Sequence, residues 1–158
     1  MVGGDPVRRL AARIFLGPLL GIALVLGAAT PVPAAEELVL IVSTRSDVDR
    51  LDSPLVRRLF LGLTVTQHGN RLRPVLNETD PQIKELFLQN IVSMSDSTYD
   101  RYVLRLSLLQ GRTQPSVFRS TAKLINAVAA DPTVVGYVWA KDVAHDPRIK
   151  ILRVVWRD

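Results

Sequence analysis

Side chains able to carry out acid–base or nucleophilic chemistry are few in this sequence. It contains no cysteine and only two histidines, His68 and His145. Both histidines lie in polar segments of the kind that form turns and loops. The Gly-x-Ser-x-Gly, glycine-rich phosphate-loop and His-Glu-x-x-His motifs are absent. Since no nucleophile–base pair can be assembled, we predict no catalytic residue, no metal site, no cofactor and a protein that is not an enzyme.

Two further polar motifs are better explained by local structure than by chemistry. Asp47, Asp49 and Asp52 are spaced like part of a calcium loop, but the remaining oxygen ligands and a closing glutamate are missing. We expect them to cap a helix or to face solvent. The tripeptide Asn77-Glu78-Thr79 matches a glycosylation acceptor. That match is weak, and a turn between a strand and a helix is the better explanation of the tripeptide.

Two polar loops remain as a candidate binding site, because each follows a predicted strand. The second loop also leads into the start of a predicted helix, where unpaired N–H groups and partial positive charge favour anions. Arg45 could add a positive charge. The alternative is that both loops only cap helices. The candidate ligand-binding residues are Ser43, Thr44, Arg45, Ser46, Asn77 and Thr79.

The elements that would position these loops can be read from the apolar pattern. The run Leu38–Val42 predicts a strand buried on both faces, and 71–76 predicts a second strand in which Pro74 favours an edge or a strand end. Further strands are predicted at 134–138 and 149–156. Residues 112–116 are predicted to form a loop.

Four helices are predicted between these strands. The first follows Ser53 as its cap and ends near Gly62, and the second follows a capping box of Thr79 and Gln82 and runs to about Ser93. The third, ending before Gly111, should pack through one side that carries Tyr99, Tyr102, Val103, Leu106 and Leu109. The fourth spans 120–130. The fold class is therefore α/β, with a small mixed β-sheet flanked by about four helices.

The first 35 residues predict export. Three arginines (Arg8, Arg9 and Arg13) precede an apolar run at 14–29, and small residues follow at 30–35. We expect a secretory signal peptide cut after Ala34 or Ala35, and a periplasmic or secreted domain at 36–158. An uncleaved signal would leave a membrane anchor.

Charge and size limit the classes of partner. The chain has 158 residues, with 20 basic and 15 acidic side chains. Removing 1–35 takes away three arginines and one aspartate, so the excess falls from +5 to +3. This small excess argues against nucleic acid as a partner. About 123 residues without disulfides are enough for one ordinary domain.

Several short motifs resemble the type 2 periplasmic binding protein superfamily. They occur in the same order as in the substrate-binding proteins of bacterial phosphate ABC transporters: Phe60–Gly62, Arg73–Val75, a helical segment around Phe87, Gly111, and Asp131–Val138. The resemblance covers nearly all of 38–140. It implies a single-domain, periplasmic-binding-protein-like fold and a role in transport.

The resemblance implies that the protein is an exported, non-enzymatic binding module for a small solute, such as the phosphate anion. In the phosphate binders a Ser-Gly-Thr loop holds the anion, whereas the matching place here reads Asn77-Glu78-Thr79-Asp80. Two carboxylates in that loop would repel phosphate, so we expect the chain to act with a second copy or with another envelope protein. The alternative is an accessory or sensory envelope protein that binds a partner protein and no small molecule.

Overall fold

A computed structural model describes residues 36–111 and 114–158, so the predicted signal peptide lies outside the described residues. The described chain is an α/β structure built on a five-stranded mixed sheet and a two-stranded hairpin. The strands are β1 (Glu37–Ser43), β2 (Thr66–Gln67), β3 (Asn70–Arg71), β4 (Arg73–Asn77), β5 (Ser116–Phe118), β6 (Val134–Trp139) and β7 (Ile149–Arg157). The helices are α1 (Ser53–Phe60), α2 (Pro81–Phe87), α3 (Asp96–Gln110) and α4 (Thr121–Ala130). The predicted fold class is confirmed.

The five-stranded sheet has the order β5-β4-β6-β1-β7. Strand β4 runs parallel to β6, with Arg73 opposite Val134, whereas β1 runs antiparallel to β6, with Ile41 opposite Gly136. Strands β1 and β4 therefore point in opposite directions. The outer strands differ in length, since β5 has three residues and β7 has nine.

Alternate residues of β1 enter two separate apolar cores, one on each face of the sheet. Leu40 and the β1 residues on its side of the sheet pack against α1, α2 and Tyr99 of α3, whereas Ile41, on the opposite side, packs against α4. Six of the seven residues of β1 are buried, as the unbroken apolar run predicts. Burial on both faces places β1 in the interior of the sheet, between β6 and β7.

Aromatic side chains order the larger core. The rings of Phe87 and Tyr137 are stacked with centroids 3.9 Å apart, and the ring of Phe60 lies 4.6 Å from that of Phe87. The hydroxyl of Tyr99 donates to the carbonyl oxygen of Phe60 at 2.7 Å, so α3 is tied to the end of α1. Buried tyrosine hydroxyls usually find such partners.

Both predicted N-caps are wrong by one residue. The carboxylate of Asp52, not the hydroxyl of Ser53, accepts from the N–H of Leu55 at 3.0 Å. Asp80, not Thr79, caps α2 by accepting from the N–H of Gln82 at 2.9 Å. In both helices a proline occupies one of the first helical positions. An aspartate before Ser-Pro or Pro reaches the free N–H groups directly, and this decides the cap.

Three other details differ from the sequence prediction. The α-helical part of α2 ends at Phe87 and continues as a π-helical turn, Leu88–Val92, before Ser93 adopts a positive φ of 60°. Residues Ser116–Phe118 form a strand, although the sequence predicted a loop up to residue 116 and no strand after it, because β4 offers them a parallel partner. Leu109 is 70% exposed, since the end of α3 runs past the core.

The position of Pro74 agrees with the prediction of a strand end. Strand β4 lies between β5 and β6, but β5 pairs only with Val75, Leu76 and Asn77. Pro74 precedes that paired segment, so its missing N–H costs no hydrogen bond with β5. Within the described residues, no helix is long and apolar enough to cross a membrane.

Candidate binding site

The first polar loop, Ser43–Ser46, is held by bonds to the end of helix α4. The buried Ser43 hydroxyl donates to the carbonyl oxygen of Ala129 at 3.3 Å and accepts from the N–H of Arg45 at 3.2 Å. The guanidinium of Arg45 donates to the carbonyl oxygens of Ala129 and Ala130 at 2.8 and 2.7 Å. Arg45 thus caps the carboxyl end of α4, where unpaired carbonyls favour a cation.

The remaining hydroxyls of this loop are also engaged. Thr44 donates its hydroxyl to the carbonyl oxygen of Arg148 at 3.2 Å. The hydroxyl of Ser46 accepts from the N–H of Val48 at 3.4 Å. These bonds support the interpretation of the first loop as a structural connection.

The second polar loop begins with Asn77, which is fully buried. Its side-chain amide donates to the carbonyl oxygen of Tyr137 at 2.9 Å. Its side-chain oxygen accepts from the N–H and hydroxyl of Thr79 at 2.9 and 2.6 Å. The Asn77 N–H donates to the hydroxyl of Tyr137 at 3.1 Å. Asn77 thus fastens the end of β4 to β6.

The two polar loops lie at opposite ends of the sheet. The β1–β6 register places Ile41 opposite Gly136, so β1 ends near the start of β6. Strand β4 runs with β6 and ends beside Tyr137, near the other end of β6. The structure brings Ser43–Ser46 together as one group and Asn77 with Thr79 as another, but it does not combine the two groups.

A charged cluster, which we call the Lys84 cluster, lies beside the second loop. The buried Lys84 ammonium lies 2.9 Å from a carboxylate oxygen of Glu78, 2.7 Å from Asp96 and 3.3 Å from Asp100. The other Glu78 oxygen lies 3.1 Å from the guanidinium of Arg119. Two cations therefore face three carboxylates, and Glu78 bridges both cations.

Burial alone would lower the pKa of Lys84, because it disfavours the charged form. Hydrogen bonds to Asp96 and Glu78 outweigh burial, and the net pKa of Lys84 is raised above its ordinary value. The ammonium stays protonated over the physiological range. Its charge is balanced within the cluster, so a free anion would meet the three carboxylates as well as the cations.

The sequence prediction missed the Lys84 cluster because its members come from separate elements. Glu78 follows β4, Lys84 is on α2, Asp96 and Asp100 are on α3, and Arg119 follows β5. The i,i+4 spacing of the two aspartates was a local signal for a shared helix face. No spacing along the chain could have placed the lysine between them.

Two of the three aspartates considered as part of a calcium loop have structural roles. Asp49 pairs with Lys150 at 3.0 Å, and Asp52 caps α1. Among the described residues, no group of histidine, aspartate and glutamate side chains could hold a metal ion.

A cavity of about 640 Å³ opens at the amino ends of β4 and β6, and no residue of the Lys84 cluster lines it. Its lining includes Leu72, Phe118 and the ion pair between Arg73 and Asp131. A hydrogen bond from the Thr133 hydroxyl, and then the nearby Arg73, keep the pKa of Asp131 below its ordinary value. None of the six predicted binding residues lines this cavity.

Comparisons with known proteins support the fold but do not identify a function. No protein-family model matches the sequence, and no curated protein matches it. Among solved structures, PstS from Borrelia burgdorferi is similar, with a TM-score of 0.53, 13% identity, and coverage of 75% of this chain and 47% of that one. A possible phosphate binding protein from Planctomyces limnophilus has a TM-score of 0.53, 9% identity, and coverage of 76% and 42%.

These similarities confirm the resemblance to phosphate-transport binding proteins at the level of the fold. The chain spans less than half the length of either solved structure. It has the α/β fold of part of these larger proteins.

Proposed function

We propose that this chain is an exported, non-enzymatic binding module that acts together with a second protein surface. The observation that carries the proposal is the position of Glu78, whose carboxylate lies against Lys84 and Arg119 at the end of β4. In this arrangement the chain's own carboxylate takes the two cations that a small anion would need. Free phosphate is therefore not captured by the chain alone.

The geometry of a single lobe supports the same proposal. Tight ligand sites bury most of the ligand surface, and two-lobed binding proteins achieve this by closing around it. The Lys84 cluster lies at one end of a single sheet, with Asp96, Asp100 and Arg119 more than half exposed. A second surface, from another envelope protein or another copy, would be needed to enclose anything bound there.

The proposal is tested by native mass spectrometry of the protein recovered from the periplasm of a bacterial host. We expect the chain to be found in a complex with another polypeptide and to carry no phosphate. A monomer that retains one phosphate would contradict the proposal. Recovery of the chain only in the cytoplasm would contradict export.

A second candidate function is phosphate binding at a site that becomes available when Glu78 moves away. The fold shared with phosphate-binding proteins and the convergence of Lys84 and Arg119 on one carboxylate favour it. Glu78→Gln removes the negative charge but keeps the shape of the side chain. If this candidate is correct, calorimetry will detect phosphate binding by the Glu78→Gln variant, and Glu85→Gln on the exposed side of α2 will be the silent control.

A further inference from the structure

Strand β7 forms a long outer edge of the sheet. It pairs with β1 along its length, from Arg157 opposite Glu37 to Ile149 opposite Ser43. No strand among the described residues pairs with its other side. In such an edge strand, alternate residues direct unpaired N–H and C=O groups outward. The nine residues of β7 offer an edge roughly 30 Å long to an extended polypeptide.

One face of this edge carries exposed apolar side chains. Ile151 lies opposite Ile41, and Val154 lies opposite Val39, so both side chains are on the face that α4 covers further inward. Helix α4 does not cover them, and they are 46% and 38% exposed. An added strand could bury these two side chains against its own apolar residues.

The other face carries a cation that has no carboxylate partner among the described residues. Lys150 pairs with Asp49, and Arg157 pairs with Glu37 at 2.6 Å. Arg153, opposite Leu40, has no carboxylate partner among the described residues, and its Nε is buried without a hydrogen bond. A buried donor left without a partner is costly, so a carboxylate arriving beside Arg153 would be favoured.

The charges on β7 also decide against pairing between two copies of this strand. Antiparallel pairing about Arg153 would place two guanidinium groups opposite each other, and like charges directly opposite destabilise a sheet. The edge is suited to a strand of different sequence and opposite charge.

We infer that β7 is the docking edge for an extended, acidic segment of a partner protein, which adds to the sheet as a sixth strand. The partner's backbone pairs with β7, its apolar side chains cover Ile151 and Val154, and a carboxylate binds Arg153. This inference rests on the proposed function, because it names the surface through which the module meets its partner.

The probe is a synthetic peptide as long as β7, with alternating threonine and valine and one central glutamate. Binding to the full chain is measured by fluorescence anisotropy. Three matched peptides are compared with it: one carries lysine in place of the glutamate, and two carry N-methyl groups on alternate residues, one in each register. We expect the glutamate peptide to bind, the lysine peptide to bind at least about tenfold more weakly, and one N-methylated peptide to lose binding because its N–H groups can no longer pair with β7.

Variants of the chain locate the site. Arg153→Glu should lower the affinity for the glutamate peptide about tenfold and reverse the preference in favour of lysine, whereas Arg101→Glu, at an exposed position of α3, should have no effect. Ile151→Lys and Val154→Lys should each weaken binding, whereas Val117→Lys on the other edge strand should not. Thermal unfolding checks each variant, and Arg153→Gln replaces Arg153→Glu if the latter does not fold.

Several results would overturn the inference. These are no binding of the glutamate peptide at millimolar concentration, equal binding of all four peptides, or binding unaffected by the β7 variants. If the protein forms a dimer that Ile151→Lys dissociates, the edge binds a second copy. If the peptide binds only after removal of 1–35, the edge binds that segment. If a partner recovered from the periplasm survives the β7 substitutions, the proposed function stands and this surface is wrong.

Discussion

The ammonium group of Lys84 shows how single side chains determine what this structure can bind. It is surrounded by Glu78, Asp96 and Asp100, and each of these carboxylates is more exposed than the lysine. The lysine neutralises charges that would otherwise repel one another where β4, α2 and α3 meet. We assign Lys84 a role in holding these three elements together.

Lys84→Ala is expected to destabilise the protein by about 2 kcal/mol, because three carboxylates lose their shared cation. Chemical denaturation measures the change in the free energy of unfolding. Lys123→Ala, which removes an exposed lysine from α4, is the matched control and should have little effect. Equal stability of the two variants would contradict the role assigned to Lys84.

Asp146 provides a prediction about acid stability. Hydrogen bonds from the Arg148 side chain and then from its N–H lower the pKa of Asp146 to about 2, from an ordinary value of 3.8. A carboxyl whose pKa is lower in the folded state stabilises the protein fully above the ordinary pKa. This contribution is lost as the pH falls from 3.8 toward 2.

When the pH is lowered from about 5 to about 2.5, the melting temperature of Asp146→Asn should therefore fall less than that of the unaltered protein. The melting temperature is measured at both pH values. Asp47→Asn is the control, because Asp47 is exposed and makes no ion pair or side-chain hydrogen bond with the described residues. Identical pH dependence of Asp146→Asn and the unaltered protein would exclude the proposed effect of Arg148.

The contact between β6 and α4 is a close approach that the sequence only partly reveals. A Cβ atom on Gly136 would lie 3.1 Å from Val75, 3.2 Å from Val128 and 3.3 Å from Leu124. Glycine at this position lets α4 lie close to the sheet. A glycine inside a strand often indicates such an approach, so the sequence carried a signal here.

Gly136→Ala should cost about 1–3 kcal/mol, because the added methyl group overpacks this interface. The measurement is the free energy of unfolding in denaturant. In a Val128→Ala background, which removes one of the crowding methyl groups, the same substitution should cost less. An equal cost in both backgrounds would show that the penalty does not come from packing against α4.

Strand direction explains why the elements were predicted better than the site. The buried run 38–42 and the polar loops after β1 and β4 were visible in the sequence. Burial on both faces favours a parallel sheet, in which both loops would share one edge. In the structure β1 runs antiparallel to β6, and the loops lie at opposite ends. Strand direction depends on pairing between distant segments, which apolar periodicity does not encode.

Local hydrogen bonding explains the smaller errors in the same way. Ser53 and Thr79 are good capping residues, but Asp52 and Asp80 lie one position away and form the bonds. Propensity alone does not choose between two adjacent candidates. The short strand β5 exists because β4 pairs with it, and its three residues carry no strand pattern of their own.

The protein has a fold shared with phosphate-binding proteins. At the end of β4, however, its own charged side chains pair with one another in the Lys84 cluster. The described chain covers less than half of the solved structures it resembles. Its exposed edge β7 and its Lys84 cluster, in which carboxylates outnumber cations, both favour a function that depends on contact with another protein. Export remains a prediction from the basic and apolar pattern of 1–35.

The most direct test of this account is calorimetric titration of the purified, unaltered protein with inorganic phosphate. The account predicts no binding by the isolated chain below millimolar concentration, because Glu78 already occupies Lys84 and Arg119. Micromolar or tighter binding of one phosphate by a monomer would contradict it.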